Sequence, residues 1–201
     1  MKEVIAQTLG HTATNPGADR LTEKGFIENI DAIRKRARQH IEQGAVTDTY
    51  KADRNAVVSL LNDALASELI CVLRYKRHYF MASGLHADPV AAEFLEHANE
   101  EQAHADGLAA RIVQLGGEPD FSPDKLASRS HTEYVPGKSM HEMMREDLIA
   151  ERIAIDTYGQ IIRYIGDDDP TTRRLLEDIL ANEEEHADDL ASMLDSTERQ
   201  K

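Results

Sequence analysis

The chain has 201 residues, 41% of them hydrophobic and 30% charged, which is the composition of a folded globular protein of about one domain. Its formal net charge of −14 disfavours binding to nucleic acid or to an anionic membrane. We find no apolar run of the ~18 residues that a membrane span needs and no secretory signal, and the single cysteine, Cys71, allows no internal disulfide. These features predict a cytoplasmic protein.

Residues 1–54 are interpreted as an N-terminal extension that differs from the rest of the chain. An apolar stripe with helical spacing predicts one extra helix that ends near Gly44; it consists of Phe26, Ile30, Ile33, Ala37 and Ile41. The dense basic run at residues 34–38 lies on this helix. We expect the run to dock on an acidic neighbour, and we do not expect it to bind DNA.

Four long stretches of the sequence, each bounded by Gly or Pro, carry the 3-4-3-4 spacing of apolar residues that is typical of bundle helices. They cover residues 56–83, 89–115, 139–165 and 170–196. Pro89 and Pro170 suit a first helical turn, where the missing N–H is no loss. Because no strand-type alternation competes, the sequence predicts an all-α four-helix bundle over residues 55–201.

The connections between these helices predict the topology. Short links of about five residues join the first helix to the second and the third to the fourth, so each pair should be antiparallel. Residues 116–138 can span a helix of ~40 Å at ~3.3 Å per residue. This segment is therefore expected to cross over the bundle and to let the second and third helices run parallel, with one helical turn near residues 123–128.

One glutamate interrupts the apolar stripe of each predicted bundle helix. These residues are Glu68, Glu101, Glu151 and Glu183, and each lies within about two residues of the midpoint of its helix. A carboxylate on a core face is costly unless it is paired or coordinated. Midpoints meet at one level whether helices run up or down, so the four carboxylates are expected to converge in the centre of the bundle.

Two of the glutamates bring a histidine onto the same helix face, in Glu101-x-x-His104 and Glu183-x-x-His186. The surrounding sequences EEQAHADGLA and NEEEHADDLA also match, so the chain is interpreted as internally duplicated. Four carboxylates and two imidazoles suit a dinuclear site in a helix bundle, because two divalent cations would neutralise the buried anions. Oxygen and nitrogen ligands without thiolate favour iron or manganese.

At these residues the sequence resembles the ferritin-like superfamily, and bacterioferritin most of all. The resemblance covers about residues 55–194 and rests on ELICVLRY at 68–75, EQAH at 101–104, DLIAE at 147–151 and EEEH at 183–186. It implies a ferroxidase that oxidises Fe(II) with O2 or H2O2 at a centre of two Fe ions per chain, where Mn or Zn could also bind. It also implies iron storage or detoxification in a homo-oligomeric shell.

The resemblance further implies roles for individual residues. Glu68 and Glu151 would be terminal ligands, Glu101 and Glu183 would bridge the two ions, and the histidines would supply nitrogen; these are His104 and His186. Tyr75, seven residues after Glu68, matches the tyrosine that bacterioferritins keep beside the centre and would relay an electron or pack in the core. His78 and His97 are interpreted as structural histidines, with a role around the metal site as the alternative.

Two departures from bacterioferritin modify these expectations. Gln102 stands where bacterioferritins carry their haem-ligating methionine, so haem is not expected by that route. Only 15 residues follow His186, which leaves no room for a fifth helix. We therefore expect a shell of twelve subunits, as in Dps-like miniferritins, in preference to one of twenty-four.

Two alternatives stay open from the sequence. A manganese-catalase-like or other dinuclear-metal oxidoreductase would use a similar ligand pattern, although such chains usually carry a C-terminal extension. A Dps-like DNA-protecting or purely structural shell protein would need no redox chemistry, and the acidic net charge disfavours its DNA-binding form.

Overall fold

Helices make up the regular structure of the chain. The computed structural model describes residues 29–84 and 87–199, and in these ranges it contains six α-helices and no strand. They are α1 (Ile30–Arg36), α2 (Arg54–Met81), α3 (Ala87–Gln114), α4 (Leu126–Arg129), α5 (Met140–Ile165) and α6 (Pro170–Glu198). The chain divides into two units, Met1–Glu42 and Gln43–Lys201. This confirms the all-α prediction of four long helices and an extra N-terminal helix.

Helix α1 is shorter than the sequence analysis predicts. It starts at a cap in which Asn29 accepts a hydrogen bond from Asp31 N at 2.8 Å, and it ends at Arg36 instead of near Gly44. His40 has a φ of 51°, a left-handed conformation that a continuing α-helix does not contain, and Ile41–Gln43 forms a separate 3-10 turn. Phe26, the first residue of the predicted stripe, lies outside the described residues.

Helices α2 and α3 form an antiparallel pair joined by a short link. Asp53 caps α2 by accepting hydrogen bonds from the backbone N–H groups of Asn55 and Ala56. Pro89 is the third residue of α3, where the absence of an N–H costs no helical hydrogen bond. By length and composition α2 could cross a bilayer, but 56% of its apolar window is buried in the bundle, which is expected of a core helix.

Helices α5 and α6 form the second antiparallel pair. Gly166, with a φ of 54°, ends α5 in a conformation that costs glycine little. Asp169 then caps α6 by accepting a hydrogen bond from Thr172 N at 2.9 Å, and Pro170 takes the first helical position. The end of α5 and the start of α6 thus lie at the Gly and Pro residues that the sequence analysis used to predict them.

The connection between α3 and α5 runs along the outside of α2. Its contacts move steadily from the start of α2 toward its end: Asn62 donates to Glu118 O at 3.1 Å, His131 N donates to Ser67, and Arg77 donates to Pro136 O. Helix α5 therefore begins at the end of the bundle where α3 begins, so these two helices run parallel. The expected helical turn is present as a 3-10 turn, Pro123–Lys125, followed by α4.

The core consists of two apolar clusters. The first contains Leu61, Leu65, Leu108, Ile112 and Leu176, and Val46, Tyr50 and Ala52 pack against it from the segment before α2. The second contains Tyr75, Phe94, Met144 and Leu190. On every long helix the glutamate found by the sequence analysis lies between the residues of one cluster and those of the other. The middle of the bundle is thus polar and fully enclosed.

Candidate metal centre

Each of the four long helices contributes to one buried polar cluster at the middle of the bundle. Its members, all at most 8% exposed, are Glu68 of α2, Glu101 and His104 of α3, Glu151 of α5, and Glu183 and His186 of α6. These are the six residues that the sequence analysis selected as ligands, and the structure brings all of them together.

The cluster resolves into two overlapping groups that could each hold one ion. One group is Glu68, Glu101, His104 and Glu183, and the other is Glu101, Glu151, Glu183 and His186. Within each group the potential ligand atoms lie within 4.8 Å of one another. Because Glu101 and Glu183 belong to both groups, the geometry is that of two adjacent sites with two shared carboxylates.

Most of the atoms that face the centre of the cluster lack a hydrogen-bond partner. They are Glu68 Oε2, Glu101 Oε1, Glu151 Oε2, both carboxylate oxygens of Glu183, and Nδ1 of His186. Buried polar atoms in folded proteins are normally satisfied, and leaving one unsatisfied costs ~1–3 kcal/mol. Six such atoms from four helices, directed at one place, fit a site for cations that would satisfy all of them together.

Two tyrosines donate hydrogen bonds to the outer oxygens of Glu68 and Glu151. The Tyr75 hydroxyl donates to Glu151 Oε1, and the Tyr158 hydroxyl donates to Glu68 Oε1. Each carboxylate is thereby oriented with its other oxygen, Oε2, toward the centre. Sequence analysis identified Tyr75 and missed Tyr158, although Tyr158 follows Glu151 by the same seven residues that separate Tyr75 from Glu68.

The two histidines of the cluster are oriented from outside in a matching way. Nε2 of His104 lies 2.9 Å from Asn182 Oδ1, and Nε2 of His186 lies 2.7 Å from Glu100 Oε2. Both partners are acceptors, so each Nε2 carries a proton and donates it, which leaves Nδ1 directed at the carboxylates. Such contacts fix the tautomer and the ring orientation of a metal-ligating histidine.

Protons compensate the carboxylates of the metal-free cluster. Burial opposes a charge on His104, but its hydrogen bond to Glu101 and its ion pairs with Glu183 and Glu68 outweigh burial and raise the pKa of His104 to about 12. Burial and the neighbouring carboxylates raise the pKa of Glu183 to about 8 and the pKa of Glu68 well above its usual range. For Glu151, the neighbouring His186 and Glu183 and the hydrogen bond from Tyr75 outweigh burial and lower the pKa to about 2.

His97 lies directly beside the cluster. Its ring stacks on the ring of His186 with the centroids 4.0 Å apart, and its Nδ1 lies 3.2 Å from the Tyr75 hydroxyl. Burial and the charge of His186 lower the pKa of His97 to about 4, so its ring is neutral. Sequence analysis interpreted His97 as a structural histidine, with a role around the metal site as the alternative, and the structure places its ring against His186 and the Tyr75 hydroxyl.

A buried ion-pair network that the sequence analysis missed lies one turn beyond the cluster. Asp147 accepts hydrogen bonds from Arg74 Nε and from His78 Nδ1, both at 2.7 Å, and all three side chains are at most 1% exposed. Arg74 also donates to Thr132 and to Glu133 O, which ties the crossover segment to α2.

Comparisons with known proteins agree with this geometry. A family model described as the ferritin-like domain matches residues 58–200. A dodecameric thioferritin, a bacterioferritin-related protein from Bacteroides fragilis, is 32% identical, with 75% of this chain and 90% of that chain covered and a TM-score of 0.72. A Desulfovibrio desulfuricans bacterioferritin that contains a diiron site is 25% identical. The match covers 73% of this chain and 82% of that chain, with a TM-score of 0.65. Dps from Thermosynechococcus elongatus shares the fold at 21% identity. The match covers 70% of this chain and 90% of that chain, with a TM-score of 0.67.

Proposed function

The chain belongs to the ferritin-like family, and on this basis we propose that it is a dinuclear ferroxidase, an enzyme that oxidises Fe(II) with O2 or H2O2. Its role would be iron storage or detoxification within a homo-oligomeric shell in the cytoplasm. The observation that carries this proposal is the set of six unsatisfied buried atoms directed at the centre of the bundle.

The charge and chemistry of the cluster support two iron ions per chain. Four ionised carboxylates carry four negative charges, which two divalent cations neutralise without leaving an uncompensated buried charge. Carboxylate and imidazole ligands without thiolate suit Fe(II), and Mn(II) or Zn(II) could occupy the same atoms. In the proposed arrangement Glu68 and Glu151 would be terminal ligands, Glu101 and Glu183 would be shared by the two ions, and the nitrogen ligands would be His104 and His186.

The reaction moves one electron from each Fe(II) to the oxidant. With O2, two Fe(II) and two protons give two Fe(III) and H2O2; with H2O2, two Fe(II) and two protons give two Fe(III) and two waters. The protein excludes bulk water from the centre and keeps the carboxylates oriented through Tyr75 and Tyr158. We propose that Tyr75, whose hydroxyl contacts both Glu151 and His97, relays an electron.

A small cavity lies next to the proposed ions. Its volume is about 10 Å³, enough for one water-sized molecule, and Glu68, Glu101, Tyr158 and Glu183 line it. On the outer side, His131 and Thr132 of the crossover segment close it. We propose that O2 or H2O2 approaches the centre between α2 and the crossover.

The shell is the less specific part of the proposal. The Bacteroides fragilis relative is dodecameric, and the expectation from the sequence is also a shell of twelve subunits. Large apolar side chains on α2, namely Leu73, Phe80 and Met81, are more than half exposed in the single chain, as residues covered by neighbouring subunits would be. Haem is not part of the proposal, because Gln102 is not a haem ligand of the methionine type.

Anaerobic titration of metal-free protein with Fe(II), followed by addition of oxidant, tests the function. We expect at least two Fe(II) bound per chain and a fast rise of ferric absorbance, and continued uptake after oxidation would support storage. The double change Glu101→Ala with His186→Ala should abolish fast oxidation, and Glu183→Gln should lower the stoichiometry. Glu184→Gln, an exposed neighbour on the same helix, is the matched control.

Two results would overturn the proposal in favour of the alternatives. If Fe(II) binds but is not oxidised while Mn(II)-loaded protein disproportionates H2O2, the chain is a manganese-catalase-like enzyme. If neither metal supports redox chemistry and the assembly retains DNA in a salt-dependent manner, the chain is a DNA-protecting shell protein.

A further inference from the structure

A second group of potential metal ligands lies outside the six-residue cluster, between α3 and α6. It consists of Glu93 and His97, one helical turn apart on α3, and Asp189 of α6. Their ligand atoms lie within 4.8 Å of one another. His97 is 2% exposed, Glu93 is half-buried and Asp189 is exposed, so the group reaches from the interior to the surface.

The hydrogen bonds of the centre determine which nitrogen of His97 carries its proton. The Tyr75 hydroxyl donates its only hydrogen to Glu151, so the Tyr75 oxygen acts as an acceptor toward Nδ1 of His97, 3.2 Å away. Nδ1 is therefore protonated. In the neutral ring Nε2 then carries the free lone pair.

That lone pair faces carboxylate oxygens. Nε2 of His97 lies 3.4 Å from Glu93 Oε1, and the carboxylate of Asp189 completes the group. Among the described residues, no hydrogen-bond donor is recorded between this lone pair and the two carboxylates, and such a group has the chemistry of a cation site.

We propose that Glu93, His97 and Asp189 bind a third divalent transition-metal ion, separate from the two ions of the dinuclear centre. One imidazole nitrogen and two carboxylates suit Fe(II), Mn(II) or Zn(II), and the exposed side of Asp189 leaves coordination positions for water. The site would receive ions from solvent next to His186, so it would be a transit site for Fe(II) on its way to the centre. This role rests on the proposed ferroxidase function, whereas the binding of the third ion does not.

The binding is tested by Co(II) and Zn(II) titration of the full-length, metal-free protein, with bound metal counted after equilibrium dialysis. We expect three ions per chain for the unmodified protein and two for Asp189→Asn. Asp188→Asn removes the same charge from the adjacent exposed position and should keep three. Saturation of the unmodified protein at two ions, or three ions retained by Asp189→Asn, would overturn the assignment.

A further variant separates this proposal from the proposed function. Glu183→Gln removes a ligand shared by both ions of the centre but leaves the third group intact, so at least the third ion should remain bound, and Asp189→Asn in that background should release it. If the unmodified protein binds one ion and Asp189→Asn binds none, the dinuclear function is wrong and the third site stands.

The transit role has its own measurement, the initial rate of Fe(II) oxidation as a function of Fe(II) concentration. Asp189→Asn should raise the Fe(II) concentration that gives the half-maximal rate several-fold, and Asp188→Asn should not. Equal half-maximal concentrations in the two variants would show that Fe(II) reaches the centre by another route.

Discussion

The hydroxyl of Tyr158 donates a hydrogen bond to Oε1 of Glu68, a residue 90 positions away in the sequence. In the opposite direction, Tyr75 donates to Glu151. Each tyrosine follows one of these two glutamates by seven residues and donates its hydrogen bond to the other one. The two halves of the duplicated sequence therefore position each other's carboxylates, and the centre requires both halves.

Replacing Tyr158 by phenylalanine tests whether this orientation matters for metal binding. Tyr158→Phe keeps the ring in the core but leaves Glu68 Oε1 without its donor, so Glu68 can turn away from the centre. Loss of such an orienting contact typically weakens metal affinity by about 10–100-fold, and we expect a loss in this range for one of the two ions. Competition with a chromophoric chelator measures it.

The control for this prediction is Tyr164→Phe, on the same helix but 62% exposed and remote from the cluster. This variant should bind the two ions of the dinuclear centre with the affinity of the unmodified protein. If Tyr158→Phe behaves like this control, Glu68 is oriented by its other contacts, and the tyrosine only fills space.

The difference between what could and could not be predicted is clear at these residues. Glu101 and Glu183 are visible in the sequence because a charged residue on an apolar stripe violates helix periodicity. Tyr158 fits the apolar stripe of its helix, because a tyrosine is an ordinary core residue. Only the position of Glu68 on another helix gives the Tyr158 hydroxyl a function. The Asp147 network depends on carbonyl groups of the crossover, whose path the sequence does not specify.

Metal binding should strengthen as the pH rises. Ligation needs a neutral His104, whose pKa is raised to about 12, and an ionised Glu183, whose pKa is raised to about 8, so near pH 7 the ions must displace protons. Each displaced proton makes the apparent affinity rise about tenfold per pH unit. Zn(II) titrations between pH 6 and pH 8 with a pH indicator in weak buffer should show this rise together with proton release. Affinity independent of pH would contradict it.

The stability of the metal-free protein, in contrast to its metal affinity, should fall as the pH rises. The folded-state pKa of Glu183, about 8, exceeds its ordinary value of 4.5. The contribution of Glu183 to the free energy of unfolding is therefore fully present below pH 4.5 and is lost as the pH rises through 8. Glu183→Gln cannot ionise and should be the more stable protein at pH 8, by at least about 1 kcal/mol. Urea unfolding of both proteins at pH 5 and pH 8 tests this, and parallel behaviour of the two would contradict it.

Asp147→Asn should strongly destabilise the fold without removing a ligand. The change weakens both hydrogen bonds at Asp147 and leaves the buried guanidinium of Arg74 without its counter-charge. Removal of one partner of a buried ion pair lowers the free energy of unfolding by roughly 3–5 kcal/mol. Urea unfolding measures the loss, with Asp156→Asn at an exposed position of the same helix as the control. A loss no larger than that of the control would mean that water or the crossover carbonyls replace Asp147.

Truncation at two positions tests where the bundle begins. The sequence analysis predicts a bundle over residues 55–201, whereas Tyr50 donates a hydrogen bond to Asp169 at 2.8 Å, and Val46 and Ala52 pack on the core. A chain starting at Gln43 keeps these contacts, and a chain starting at Asn55 loses them together with the Asp53 cap of α2. Loss of the cap alone costs ~1 kcal/mol, and the lost apolar burial adds to it. We therefore expect the longer chain to melt at the higher temperature in thermal denaturation, and both chains to bind Zn(II) at the dinuclear centre at low temperature. Equal melting temperatures would place the start of the stable bundle at residue 55.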